Sequence, residues 1–177
     1  MEASMREVLE RMAEYNGKAM AAMLEAVARA PAGLSGKDVG LFYKSVDGTV
    51  EHMAWALVLW LKRYAGFGSY PCLEASALVS RPMEDIRAKA SGDKAEAEAL
   101  LREASALVAR FVKEMPESDF PRRVSYKTTD GKELERTYWH TIFQVLNHGT
   151  HHRGEISAIL DMHGVANDYN SFVAYMP

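Results

Sequence analysis

The chain has 177 residues, 21 Lys+Arg against 24 Asp+Glu and a formal net charge of −3, a length that suits one ordinary domain over residues 1–177. Charge is spread without a basic stripe, which argues against a nucleic-acid partner. A hydrophobic fraction of 48% is ample for a packed core and speaks against disorder.

The apolar spacing is helical almost throughout. Met5, Val8, Leu9, Met12, Tyr15, Ala19, Met23 and Val27 step by three and four, one stripe of a long first helix that Pro31 and Gly33 close. Its early charges, from Glu2 through Lys18, do not suit a secretory leader. The spacing predicts a second helix from Ser35 or Asp38 to about Tyr64, with the stripe Val39, Phe42, Val46, Val50, Met53, Leu57, Trp60 and Tyr64. Within it lies the longest apolar run, Met53 to Leu61, too short to span a bilayer. No membrane association and a cytoplasmic location are therefore expected. Residues 67–90 read as a connection with one short helix after Pro82, and carry the single cysteine, Cys72, which permits neither an internal disulfide nor a Cys-x-x-Cys zinc motif. After Ser91-Gly-Asp93 a third long helix carries Leu100, Ala104, Leu107, Phe111 and Met115, ending at Pro116. Alternation around Val124–Thr128 and Leu134–Tyr138, with Asp130-Gly131 between, predicts a β-hairpin. A fourth long helix follows, from about Tyr138 to Met162. The expected fold is all-α, a four-helix bundle with a small hairpin before the last helix. The methionines and the Trp55/Trp60 pair are read as core filler.

Function is concentrated in the histidines. Three of the six lie in Asn147-His-Gly-Thr-His-His-Arg-Gly-Glu155, in the middle of the last helix. Residues four apart sit about 40° apart around the axis, so His148 and His152 point the same way, toward the apolar side, whereas His151 faces outward. Two imidazoles so placed make half of a metal site. A pair of partly buried histidines bonded to carbonyls or to each other is the plainer alternative. His52 is the candidate third ligand, because Ser45, Thr49 and Ala56 form a seam of small residues on its side of helix two, leaving room for a pocket. A capping or surface role for His52 also stays open. His140 falls in the first turn of the last helix, and His163 at its end, near free carbonyls.

These residues resemble a known family. His148-x-x-His-His152-Arg-Gly-Glu155 is similar to the H-x-x-H-H-R-G-Q signature of the DinB/YfiT superfamily. His52, with Trp60 eight and Arg63 eleven residues further on, resembles that family's first motif. The Asp130-Gly131 hairpin and the tail Asp168-x-x-x-Phe172 agree in order and spacing. The resemblance implies an up-down-down-up bundle in which His52, His148 and His152 hold a divalent metal, zinc or nickel, and a homodimer. It further implies thiol-dependent transfer or isomerisation with low-molecular-weight thiols such as bacillithiol or mycothiol in some members. The chain departs from the pattern at Glu155, where Gln is usual, and at Leu57, where many members have Asp. Glu155 could orient His152, bind metal, or pair on the surface with Arg153 or a lysine.

Two functions follow. Three neutral imidazoles leave coordination positions open, as in a catalytic site, which suits a metal-dependent thiol S-transferase or hydrolase-like enzyme acting on a small electrophile. The alternative is a non-catalytic, stress-related helical module whose metal braces the fold and whose role is dimerisation or partner binding. No phosphate loop, nucleophile elbow or calcium loop is present.

Overall fold

The computed structural model describes residues 4–176. Helix α1 (Met5–Ala28) begins where the Ser4 hydroxyl accepts the Glu7 N–H at 3.2 Å, a side-chain cap for one otherwise free amide. Helix α2 (Val46–Ala65) starts well after the predicted Ser35 or Asp38: residues 29–45 are turns. Gly40 and Lys44 take φ values of 79° and 70°, the left-handed region that a right-handed helix cannot contain. The Val39 N–H donates to the Lys44 carbonyl at 2.9 Å and the Lys44 N–H to the Leu41 carbonyl at 2.8 Å, closing a tight turn. Ser45 then caps α2 by accepting the Gly48 N–H at 3.0 Å. Phe42, expected on the buried stripe, is instead 84% exposed.

The connection holds three helices rather than one: α3 (Pro71–Glu74), α4 (Ala77–Ser80) and α5 (Met83–Gly92). Helix α6 (Lys94–Glu114) is capped by Asp93, whose carboxylate accepts the Ala95 N–H at 2.7 Å. Strands β1 (Arg123–Lys127) and β2 (Glu133–Thr137) pair antiparallel, with Val124 opposite Arg136 and Tyr126 opposite Leu134. Gly131, at φ 85°, makes the turn as the dipeptide predicts. Helix α7 (Tyr138–Met162) occupies its predicted span.

Thr137 provides no side-chain cap for α7. Its first amides are served by the chain leading into the hairpin: Tyr138 N–H donates to the Arg122 carbonyl at 2.8 Å and Trp139 N–H to the Phe120 carbonyl at 3.1 Å. The hairpin is thus fastened to the start of the helix that carries most of the histidines.

The long helices α1 and α2 each pack against both α6 and α7. Arg6, at the start of α1, donates to the carbonyls of Lys113 and Met115 at the end of α6, at 2.9 and 2.6 Å, so α1 and α6 run antiparallel. Tyr64, near the end of α2, donates to the Thr141 carbonyl near the start of α7 at 3.0 Å, so that pair is antiparallel too. Arg29 at the end of α1 donates to the Ala166 carbonyl just past α7, which sets α1 parallel to α7. Between them lie Leu9, Met23, Leu61, Leu101, Phe111, Ile142 and Ile156, each fully buried. Each large apolar side chain so buried contributes about 1.5–3 kcal/mol. Met20, Met23, Met53 and Met115 are core residues as expected, but Met162 is exposed. Among the described residues, no helix is long and apolar enough to cross a membrane.

Candidate metal centre

Antiparallel packing of α2 on α7 brings His52 beside His148 and His152. The His52 and His148 Nε2 atoms lie 3.2 Å apart, and those of His148 and His152 lie 3.0 Å apart. The ring planes are nearly perpendicular to one another, at 72°, 76° and 88°, so three nitrogens converge edge-on without stacking. His52 and His152 are buried and His148 half-buried.

Glu155 settles the direction of His152. Its Oε2 lies 2.7 Å from His152 Nδ1. A carboxylate accepts, so Nδ1 carries the hydrogen and Nε2 keeps its lone pair toward the cluster, the usual outer partnership of a ligating histidine. The other oxygen, Oε1, lies 3.3 Å from Nε2 of the exposed His151. Of the roles open to Glu155 in the sequence, orientation of His152 is the one the side chains adopt. Arg153 does not take part: it is fully buried, donating to Asn16 Oδ1 at 2.6 Å and to the Thr150 hydroxyl at 3.0 Å, with its guanidinium 4.9 Å from the Tyr15 ring centre.

The donor set suits a divalent cation. His148 Nε2 has either one hydrogen or one lone pair, so it cannot serve two close nitrogen neighbours well by hydrogen bonding alone. A cation accepting all three lone pairs resolves the conflict. The separations of 3.0 and 3.2 Å approach the roughly 3.3 Å edge of a tetrahedron with metal–nitrogen bonds of about 2.0–2.1 Å. Burial, with His148 and His152 beside it, pushes His52 down to about 3. Burial and neighbouring His152 and His151 lower His148 to about 4, against the opposing pull of Glu155. Both are therefore neutral near pH 7, the form that ligates.

Tyr43, from the turn before α2, completes one side. Its ring stacks on His52 with centres 3.9 Å apart and planes 14° apart, and its hydroxyl lies 3.1 Å from His52 Nε2. Sequence spacing placed this residue in a helix and gave it no role. Only the left-handed turn at Lys44 delivers it here. Burial, with Glu155 adding to it, raises the Tyr43 pKa, so its hydroxyl stays protonated.

The cluster opens on a cleft of about 650 Å3, whose walls include Tyr43, Trp55, Trp60 and Tyr126 together with His52 and His148. Trp55 and Trp60 are half-buried, packed against the core on one side as expected and forming walls of the cleft on the other. His140 lines the same cleft. His163 stands apart, with Nδ1 2.9 Å from the Ile159 carbonyl at the end of α7, as predicted. Leu57 is half-buried against the core and supplies no polar group beside the cluster.

The DinB family model matches residues 3–176. The chain belongs to the DinB family. No curated protein and no solved structure matches it. The DinB match spans both histidine motifs and the hairpin between them, and so covers every residue of the cluster.

Proposed function

We propose that this DinB-family chain is a divalent-metal protein in which His52, His148 and His152 hold one zinc or nickel ion, and that it is a metal-dependent thiol S-transferase or hydrolase-like enzyme acting on a small electrophile. The observation that carries this reading is the convergence of three Nε2 atoms, with His52 and His148 in the wall of an open cleft. A divalent ion held by three imidazoles keeps a bound thiol or water deprotonated near neutral pH. In this reading Glu155 fixes the His152 ring, Tyr43 holds a protonated hydroxyl beside the reacting side, and the tryptophans exclude water and orient the substrate body. The four long helices form an up-down-down-up bundle in a single domain over residues 1–177, an arrangement supported by their pairwise directions. A low-molecular-weight thiol as co-substrate, a homodimer and a cytoplasmic location complete the proposal.

A second reading, a metal-braced dimerisation or interaction module, is favoured by one observation: Phe42 and Val173 are 84% and 77% exposed, surface that a partner would cover.

Elemental mass spectrometry on untagged protein, beside His52→Ala and His148→Ala, tests the centre. About one zinc or nickel per chain, lost in both variants while the helical circular-dichroism signal stays, supports it. Metal-loaded protein is then assayed for conjugation of small thiols to an electrophilic aryl chloride. Turnover that depends on His148 supports the enzyme; metal binding without turnover toward thiol or water favours the module.

A further inference from the structure

The charges around the cleft are one-sided. Arg63, Arg136 and His140 line it together with the aromatic residues, and no Asp or Glu is among its lining residues. Elsewhere on the hairpin, the basic side chains have acidic partners: Arg123 lies 2.9 Å from Glu135, Lys127 3.3 Å from Glu133, and Lys132 2.7 Å from Asp130. Arg136, on the same two strands but facing the cleft, meets no carboxylate; its only protein acceptor among the described residues is the neighbouring Glu135 carbonyl, at 2.7 Å.

Arg63 is held more firmly. Its guanidinium lies 4.5 Å from the Trp60 ring centre and 5.0 Å from that of Tyr126, and one NH2 group donates to the Lys127 carbonyl at 2.7 Å. Aromatic faces and a carbonyl fix the plane of the fork without neutralising it. A cation so positioned is organised for a planar or tetrahedral oxyanion and loses little side-chain freedom on binding one. Small-molecule sites combine apolar walls with a few such polar anchors, in volumes of roughly 300–1,000 Å3, and this cleft of about 650 Å3 meets that description.

We propose that the cleft beside the histidine cluster binds a small molecule bearing a carboxylate or phosphate group, recognised by Arg63 and Arg136, with its flat or apolar body between Trp55 and Trp60. This rests on reading the cleft as the substrate side of the histidine centre and adds the chemical class of the substrate. A neutral electrophile would leave two cations desolvated and unpaired on closing the cleft, so the anionic group also supplies selectivity.

The test is titration calorimetry, with tryptophan fluorescence as a second readout, on metal-loaded protein with benzoate and phenyl phosphate as probes and benzamide and benzylamine as controls. The expected result is saturable binding of at least one anion and binding of both controls weaker by about tenfold or more, the loss a charge-assisted hydrogen bond implies. Affinity for that anion should fall by a similar factor in R63Q/R136Q at unchanged metal content. Which anion binds distinguishes a carboxylate from a phosphate substrate. The exposed single variant R136Q guards against misfolding of the double variant and should show part of the loss. His148→Ala separates this proposal from the metal reading: anion binding that persists there and still needs the arginines upholds the cleft even if the centre binds no metal. Anion binding that vanishes in His148→Ala but ignores the arginines places the anion at the histidines and overturns the proposal. Equal affinity for benzamide, or no binding of either anion, also overturns it.

Discussion

Glu155 Oε2 sits 2.7 Å from His152 Nδ1, one turn further along α7, and by taking that ring hydrogen it leaves Nε2 facing His148 3.0 Å away. Removing such an outer partner typically lowers metal affinity about 10–100-fold. Glu155→Ala is expected to lose affinity in that range by chelator competition, with its helical content retained. Glu155→Gln keeps an acceptor for Nδ1–H and should lose less. Equal metal affinity in Glu155→Ala and the parent chain would show that the ring is oriented without Glu155.

Acid should destabilise the metal-free protein through the same cluster. His52 is held down to about 3 and His148 to about 4 from an ordinary value near 6.5, chiefly by burial. Below 6.5 the unfolded chain takes up protons that the folded chain refuses, so stability is full above that value and falls as pH drops toward 4 and 3. Urea midpoints measured between about pH 7.5 and pH 4.5 should fall less steeply for the His52→Ala/His148→Ala protein.

Gly48 underlies the placement of Tyr43. A Cβ at position 48 would collide with the Tyr43 carbonyl oxygen, which belongs to backbone and cannot swing aside. Gly48→Ala should therefore displace the turn, costing about 1–3 kcal/mol in urea denaturation. It should also shift the near-ultraviolet signal of the Tyr43–His52 stack. An unaltered spectrum and midpoint would mean that the turn yields freely.

The buried Arg153 depends on Asn16. Its guanidinium donates to Asn16 Oδ1 at 2.6 Å, and its Nε is buried without a partner. Asn16→Ala withdraws an acceptor from a buried cation and is expected to cost about 1.5–3 kcal/mol, measured by urea denaturation at neutral pH.

Cys72 should be inert in the folded protein. It is buried, and burial together with Glu114 pushes its thiol up to about 11. Reaction with a thiol-specific chromogenic disulfide at about pH 8 is expected to be slow natively and fast in urea. Prompt native reaction would reveal an opening of the segment between α2 and α6.

Much of this arrangement could be read from residue spacing. One helical turn pairs His148 with His152, and the bounds of α7 are legible because its apolar period, Tyr138 and Gly164 all agree. The turn before α2 misled for a physical reason: Val39, Phe42 and Val46 happen to keep helical spacing, while Gly36 and Gly40 signal the break. Tyr43 is invisible to spacing for the same reason, since contact between a loop residue and a distant imidazole leaves no period in sequence. Arg153 lies about 100° around the helix from His152, and that angle alone says nothing about what α1 offers there. The available signal was polar Asn16 among the apolar residues of α1 and small Gly149 opposite, where a Cβ would come within 2.8 Å of Asn16 Oδ1.

Three consecutive residues of α7 meet three different surroundings: His151 water, His152 the imidazole cluster, and Arg153 the interior against α1. A helix turns by about 100° per residue, so the triplet works as an index mark on a rotating rod. A rotation of α7 by about one residue would press a guanidinium among the imidazoles in one sense, or set His152 against Asn16 in the other. Asn16 and the imidazole cluster therefore select the same angular setting from opposite sides. A one-residue insertion between His148 and His152 would put the two at odds, whereas the same insertion after Met162 would leave that setting intact.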